Sequence, residues 1–246
     1  MSKLSKKIRT VSRVEPAPLG FASAESRVRQ NSLLCGVRLR DPAAAAGAAG
    51  KGADFVILED VARSKVKGVA KVDASVGVAG DFDSDAVEAL VKAGVDFIVL
   101  AGPGAGAAPL ADESVGRVMA LDSDLDDTYL RLLGDLGLDA LVIAAPEAPL
   151  TVERLLAVRR ISSLARTPLL VNAKADIDAK SLELLRDSGV AGVVLDDAGK
   201  LGALKKRIAA LPQRGRRKEN RSDAVIPAQA LAGEHDHDEE DDDYDD

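Results

Sequence analysis

Four stretches of this chain repeat one pattern of apolar and polar positions: KGADFVILED, AGVDFIVLAG, LGLDALVIAA and SGVAGVVLDD. In each, a glycine (Gly52, Gly94, Gly137 or Gly189) precedes a short aliphatic run by two or three residues. Upstream of most of them, apolar residues recur at helical spacing. In DSDAVEALVKAG, Val87, Leu90 and Val91 share one face; in DDTYLRLLGDLG, Tyr129, Leu132, Leu133 and Leu136 do. Asp83 or Ser84, Ser123 or Asp124, and Asp176 or Asp178 are the candidate N-caps. A glycine just past a helix end supplies the left-handed residue that closes it. Each echo therefore predicts a helix stopping and a buried strand starting.

Four further aliphatic runs lie between the echoes: LLCGVRL, SVGVAG, RVMALD and PLLVNAK. After the first comes DPAAAAGAAG, which reads as a helix with Asp41 as its cap and Pro42 at its first position. Eight strands result, starting near residues 33, 55, 75, 97, 117, 140, 168 and 192. Their cores are continuous apolar runs rather than alternating ones, as in a parallel sheet covered on both faces. This pattern resembles an α/β (β/α)8 barrel of the aldolase-type TIM-barrel class, over Leu33 to about Leu211. The region is short for that fold. The connections VARSKVKGVAKVDA and GPGAGAAPLADESVG carry no convincing amphipathic pattern, so reduced helices are expected after strands two and four. An open doubly wound sheet is the alternative.

Charge divides the chain into three parts. Residues 1–31 form a basic arm that turns rich in Pro and Ala, with Leu19 and Phe21 of EPAPLGF as expected anchors across one barrel end. Residues 32–212 hold the barrel. Residues 213–246 end in EHDHDEEDDDYDD, whose acids dominate the net charge of −7. The basic stretch KKRIAALPQRGRRKENR overlaps the start of that tail. Such a polyampholyte is expected to be disordered. Apolar residues make up 46% of the chain but aromatics only 2%, so the core is aliphatic. The single cysteine, Cys35, excludes an internal disulfide framework and fits a reducing compartment; it reads as a core residue. No apolar run is long enough for a membrane helix, and Glu15, Pro16 and Pro18 interrupt any signal peptide, so a cytoplasmic location is expected. The basic stretch lacks the aromatic residues that stack on bases, which argues against a nucleic-acid partner. The oligomeric state is not legible.

FIVLAGPGAGA has the spelling of a dinucleotide fingerprint: Gly102, Gly104, then Ala107, with Asp122 at the end of the next strand. A nucleotide site of that kind, in a Rossmann-like domain, requires a helix to start at the glycines. AAPLADESVG, with Pro109 early and Gly116 at its end, leaves room for two turns at most, so a plain loop is the preferred reading. The usual barrel phosphate site, in the loops after strands seven and eight, reads NAKADID and DDAGKLG. Asp176, Asp178, Asp196 and Asp197 there would repel a phosphate.

Catalytic groups in such a barrel sit at the carboxyl ends of strands. Those positions hold Arg38 and Arg40, Glu59 and Asp60, Asp81, Asp122 and Asp124, Asn172 and Lys174, and Asp196 and Asp197. Both histidines, His235 and His237, lie in the acidic tail, so the barrel cannot build a histidine base or histidine metal site. Lys174 is the one strand-end lysine. Walled in by the barrel, it would serve as a Schiff-base nucleophile, with Asp122 and Glu59 relaying protons. This resembles class I aldolase logic in outline, and a salt bridge to a neighbouring acid is its structural counterpart. Glu59, Asp122 and Asp196 would suit Mg²⁺ if they converge; helix capping is the preferred role for such acids, and neither metal nor cofactor is predicted. The expected function is a small-molecule-binding barrel, lyase or aldolase-like at its mouth. The alternatives are an inert barrel acting as a scaffold or interaction module, and the nucleotide-binding domain.

Overall fold

The computed structural model describes residues 1–12, 32–62, 66, 69–121 and 125–212. All of them fall within one compact unit, Met1–Arg214. The expected anchors Leu19 and Phe21, the capping candidates Ser123 and Asp124, the predicted site residue Asp122 and the charged tail lie outside the described residues.

Eight parallel strands close into a barrel in sequential order: β1 (Leu34–Leu39), β2 (Phe55–Leu58), β3 (Ser75–Gly80), β4 (Phe97–Leu100), β5 (Gly116–Leu121), β6 (Ala140–Ala144), β7 (Leu169–Asn172) and β8 (Val190–Leu195). β8 pairs with β1 to complete the ring. The fold is a compact (β/α)8 barrel, and the open Rossmann-like alternative is excluded by this closure. The outer helices are α2 (Ala44–Gly50), α3 (Ser84–Lys92), α4 (Asp127–Asp135), α5 (Val152–Ala165), α6 (Ala179–Asp187) and α7 (Leu201–Ala209). Among the described residues after β2 and after β4, the helical elements are short 3₁₀ turns, Val69–Lys71 and Ala108–Ala111. No described helix is long and apolar enough to cross a membrane.

The four echo glycines all have positive φ: +97° at Gly52, +91° at Gly94, +65° at Gly137 and +104° at Gly189. This left-handed turn ends one element and aims the chain into the next strand, which a residue with a Cβ does only under strain. In three echoes an Asp stands just before the strand, and two of these acids bond to the preceding strand. Asp54 accepts the Cys35 amide at 2.8 Å and Asp139 the Arg117 amide at 2.9 Å, fixing each strand against its predecessor.

Asp96, at the same place before β4, does something else. It accepts the amides of Lys3 at 2.6 Å and Leu4 at 2.9 Å, at the start of a helix the hydropathy pattern did not reveal, α1 (Lys3–Ser12). Leu4 and Ile8, one turn apart, are buried among the inward residues of the barrel, and Val11 packs against the same cluster. The amino-terminal end of the barrel is thus stoppered by KLSKKIRTVS, whose lysines and arginine hid its apolar stripe.

The interior is filled by pairing rings with glycines. Phe55 lies in register with Gly36, and Phe97 with both Gly77 and Gly116. A Cβ at Gly36 would come within 2.2 Å of the Phe55 ring, and one at Gly77 within 2.2 Å of the Phe97 ring. The rings meet edge to face, centroids 6.4 Å apart. Two aromatic side chains therefore occupy the space that aliphatic layers usually fill in such a barrel.

Three local expectations are corrected. Helix α4 is capped by Asp126, which accepts the Tyr129 amide, rather than by Ser123 or Asp124. Helix α2 starts at Ala44, with Ala43 as its uncapped N-cap; Asp41 closes the preceding turn by accepting the Ala43 amide. On α4 the buried residues are Leu130 and Leu133, while Leu132 and Leu136 are exposed. Gly134 explains the rotation. Its Cβ would meet the Ala165 carbonyl at 2.6 Å, so this side of α4 is pressed on α5. Leu132 lies roughly 200° around the helix from it. Asp83 and Asp178 cap α3 and α6 as expected.

Candidate active site at the barrel mouth

Alternation along the strands aims every second side chain inward. Leu34 and Gly36 precede Arg38 on the inner face of β1. Phe55 and Ile57 precede Glu59 beyond β2, and Leu170 precedes Asn172 on β7. The interior thus ends at its carboxyl side in a polar layer. Arg38 Nε lies 3.0 Å from Glu59 Oε1 and its Nη1 3.8 Å from Asp196 Oδ1, so one guanidinium spans acids from β2 and β8. Arg38 and Glu59 are half-buried, whereas the Asp196 side chain is 81% exposed. Arg38 Nε is close to Glu59 but not aligned for a hydrogen bond, and the buried Asn172 Oδ1 has no protein partner either. Buried polar atoms are seldom left so. This layer is where a polar guest would find a donor and an acceptor.

The glycine run after β4 is held from the neighbouring loop, after β3. Asp81 accepts the Gly106 amide at 2.7 Å, and Gly102 has φ +150°. The loop then enters the 3₁₀ turn at Ala108–Ala111 with Pro109 at its start. No α-helix begins there, so no helix amides face a pyrophosphate and the fingerprint reading fails. After β8, Asp197 accepts the Gly199 amide at 2.7 Å. The backbone amide that would meet a phosphate in such a barrel is occupied by the chain's own carboxylate.

Lys174 stands two residues beyond the end of β7, exposed, at the start of a turn closed by Ile177 N donating to Lys174 O at 3.2 Å. The anticipated salt bridge is not formed: among the described residues Lys174 has no ion pair. It lines two cavities. One, of about 270 Å³ between the loops after β7 and β8, also presents Asp176, Asp196, Asp197 and Lys200. The other, of about 280 Å³, lies between the loops after β6 and β7 and has mostly apolar walls. Of the residues expected to act with Lys174, Glu59 is engaged by Arg38 and lines neither cavity, and Asp122 lies outside the described residues. The acids that share a cavity wall with Lys174 are Asp176, Asp196 and Asp197 on one side and Glu147, Asp176 and Asp178 on the other. The spanning role of Arg38 had no local signal, since its partners come from strands 20 and more residues away.

Among the described residues no group of three or more His, Cys, Asp or Glu is placed to hold a metal ion. Cys35 faces outward from the barrel into the layer under the helices, 1% exposed. Burial, and then the Asp54 carboxylate, push its thiol up to about 12. A thiol so held is not a nucleophile at neutral pH.

No protein-family model and no curated protein sequence matches the chain. Solved structures do. A ligand-free tryptophan synthase from M. tuberculosis matches with TM-score 0.60 at 13% identity, over 85% of this chain and 98% of that one. A mutant tryptophan synthase alpha-subunit from Pyrococcus furiosus matches with TM-score 0.55 at 14% identity, over 72% and 95%. Dihydropteroate synthase from Thermus thermophilus, in complex with 4-aminobenzoate, matches with TM-score 0.52 at 14% identity, over 75% and 96%. These similarities show the (β/α)8-barrel fold.

Proposed function

We propose that this chain is a small-molecule-binding barrel whose ligand sits at the carboxyl-terminal rim against Lys174. The chemistry open to it there is lyase or aldolase-like. The observation that carries the reading is a lysine that forms no ion pair among the described residues and lines two cavities, one of them shared with Asp176 and Asp196. The similar barrels support it by analogy: the T. thermophilus dihydropteroate synthase holds 4-aminobenzoate.

Groups at the rim would supply the proton transfers. A carboxylate, Asp196 or Asp176, takes a proton from the Lys174 ammonium, and the freed Nζ lone pair attacks a ligand carbonyl carbon. One Nζ proton passes to the oxygen to give the carbinolamine; the carboxylic acid then returns its proton to that hydroxyl, water leaves, and the protonated C=N bond forms. Seating a ligand over Lys174 would also remove water from the amine, which stands exposed in the free protein. Glu59 acts one layer below by holding Arg38, and Asp122 remains a candidate proton carrier. Sodium borohydride treatment with a panel of small aldehydes and α-keto acids tests the proposal. Wild type acquires a reduced adduct with at least one of them, and Lys174→Ala does not; no adduct with any compound overturns it.

A second reading, an inert scaffold or interaction module, is favoured by Arg38 pairing with Glu59 and lying near Asp196 above an interior filled by Phe55 and Phe97. Calorimetric silence across the same panel would favour it.

A further inference from the structure

The apolar cavity beside Lys174 is built between two loops, each fastened from behind by an arginine. On one side, Arg154 of α5 donates from Nη1 to the carbonyls of Glu147 and Pro149, both at 2.9 Å. Its Nη2 meets Glu147 Oε2 at 2.8 Å. On the other, Arg207 of α7 donates to the Ala175 carbonyl at 2.7 Å and to the Ile177 carbonyl. A guanidinium bonding two carbonyls of one loop fixes that loop's path, so the gap between the loops is held open before any guest arrives. Ala145, Pro146, Leu150, Ile177 and Leu185 supply apolar walls. At about 280 Å³ the space suits a small molecule, on the order of nine waters in bulk.

The charges around it decide what that molecule carries. Glu147 is neutralised by Arg154. Asp178 is consumed at the N-terminus of α6, where it accepts from Ser181 N at 2.9 Å and Ser181 Oγ at 2.7 Å. Two charged groups of opposite sign remain without an ion pair among the described residues, Lys174 and Asp176, two residues apart on the fastened loop. An anion alone would meet Asp176, and a cation alone would meet Lys174. A guest with both charges at one end and an apolar body satisfies the cavity throughout.

We propose that the cavity between the loops after β6 and β7 binds a free α-amino acid with an apolar side chain. Its carboxylate would lie on Lys174, its ammonium on Asp176 and its side chain between Ile177 and Leu185. The inference rests on the rim being a ligand site, but not on Lys174 acting as a nucleophile.

Isothermal titration calorimetry on the full chain, with L-leucine and L-phenylalanine, tests it. L-leucinamide, which lacks the carboxylate, and isocaproate, which lacks the ammonium, are expected to bind about tenfold more weakly or worse. Lys174→Met should erase the advantage of leucine over leucinamide, and Asp176→Asn its advantage over isocaproate. Ala145→Leu, which lengthens a wall of this cavity alone, should abolish leucine binding; Lys200→Met, in the other cavity, should leave it unchanged. Absence of heat with both amino acids, binding that survives Ala145→Leu, or equal affinity for leucine and its one-armed analogues would each overturn the proposal. Asp176→Asn lies in an exposed loop and keeps the test decisive should Ala145→Leu fail to fold. Borohydride trapping is read separately in Ala145→Leu, so failure here and failure of the carbonyl chemistry are distinguishable.

Discussion

Replacing Gly36 by Ala places a methyl group where the Phe55 ring stands. The Cβ would lie 2.2 Å from Cζ and 2.3 Å from Cε2, so the ring must retreat by more than an ångström to reach ordinary contact. It has little room to do so: Phe55 is fully buried and meets Phe97 edge to face at 6.4 Å. Overpacking of a filled interior costs about 1–3 kcal/mol, and Gly36→Ala belongs at the upper end of that range. Phe55→Leu alone shortens the ring to a branched chain and should cost about 1–2 kcal/mol. Together the two changes compensate, because the new methyl enters space the ring has vacated. The double variant should therefore be more stable than the sum of the singles by about 1–2 kcal/mol. Urea unfolding with a shared m value reads all four corners of the cycle. Additivity within about 0.5 kcal/mol would refute the claim that ring and glycine are one packing unit.

Three further outcomes are expected. Leu4→Ala removes a fully buried side chain from the α1 stopper and should cost about 2–5 kcal/mol, and Asp96→Ala, which strips the amides of Lys3 and Leu4 of their acceptor, about 1–2 kcal/mol; both are read by urea unfolding. The Cys35 thiol is raised from 9.0 in the unfolded chain to about 12 in the fold, so its contribution is complete below pH 9 and is lost as pH rises toward 12, at about 1.4 kcal/mol per pH unit. Cys35→Ala should show a correspondingly shallower alkaline loss of stability, and the native thiol should resist Ellman's reagent at neutral pH. Asp178 is held below the usual carboxylate range by its bonds to Ser181, so it stabilises above the unfolded value and ceases to as pH falls through the folded one. Asp178→Ala should cost about 1 kcal/mol at neutral pH, a difference that closes in acid.

Much of the frame was legible because it is written locally. A helix-ending glycine followed by an aliphatic run announces itself within a dozen residues, and all four echo glycines adopt the left-handed conformation that this reading requires. The reduced connections after β2 and β4 were equally local, marked by Pro109 and by the unpatterned sequence before Val69, and the described residues there form only 3₁₀ turns. What escaped is what depends on neighbours distant in sequence. Leu4, Ile8 and Val11 are spaced as one helical face, but only the open end of a barrel gives that face something to cover. Gly36 and Phe55 look unrelated until parallel register sets them side by side. At the site, Lys174 was legible as the lone strand-end lysine. That Arg38 engages Glu59, and that Arg154 and Arg207 fasten the loops, follows from side chains reaching carboxylates and carbonyls, which leave no imprint on spacing.

Lys174 is the proposed reactive contact of the rim. Borohydride reduction in the presence of the carbonyl panel, followed by peptide mass spectrometry of the full chain, measures that directly. A single modified lysine at position 174 is the predicted result. Modification spread over exposed lysines such as Lys180 and Lys206, with no excess at Lys174, would contradict it.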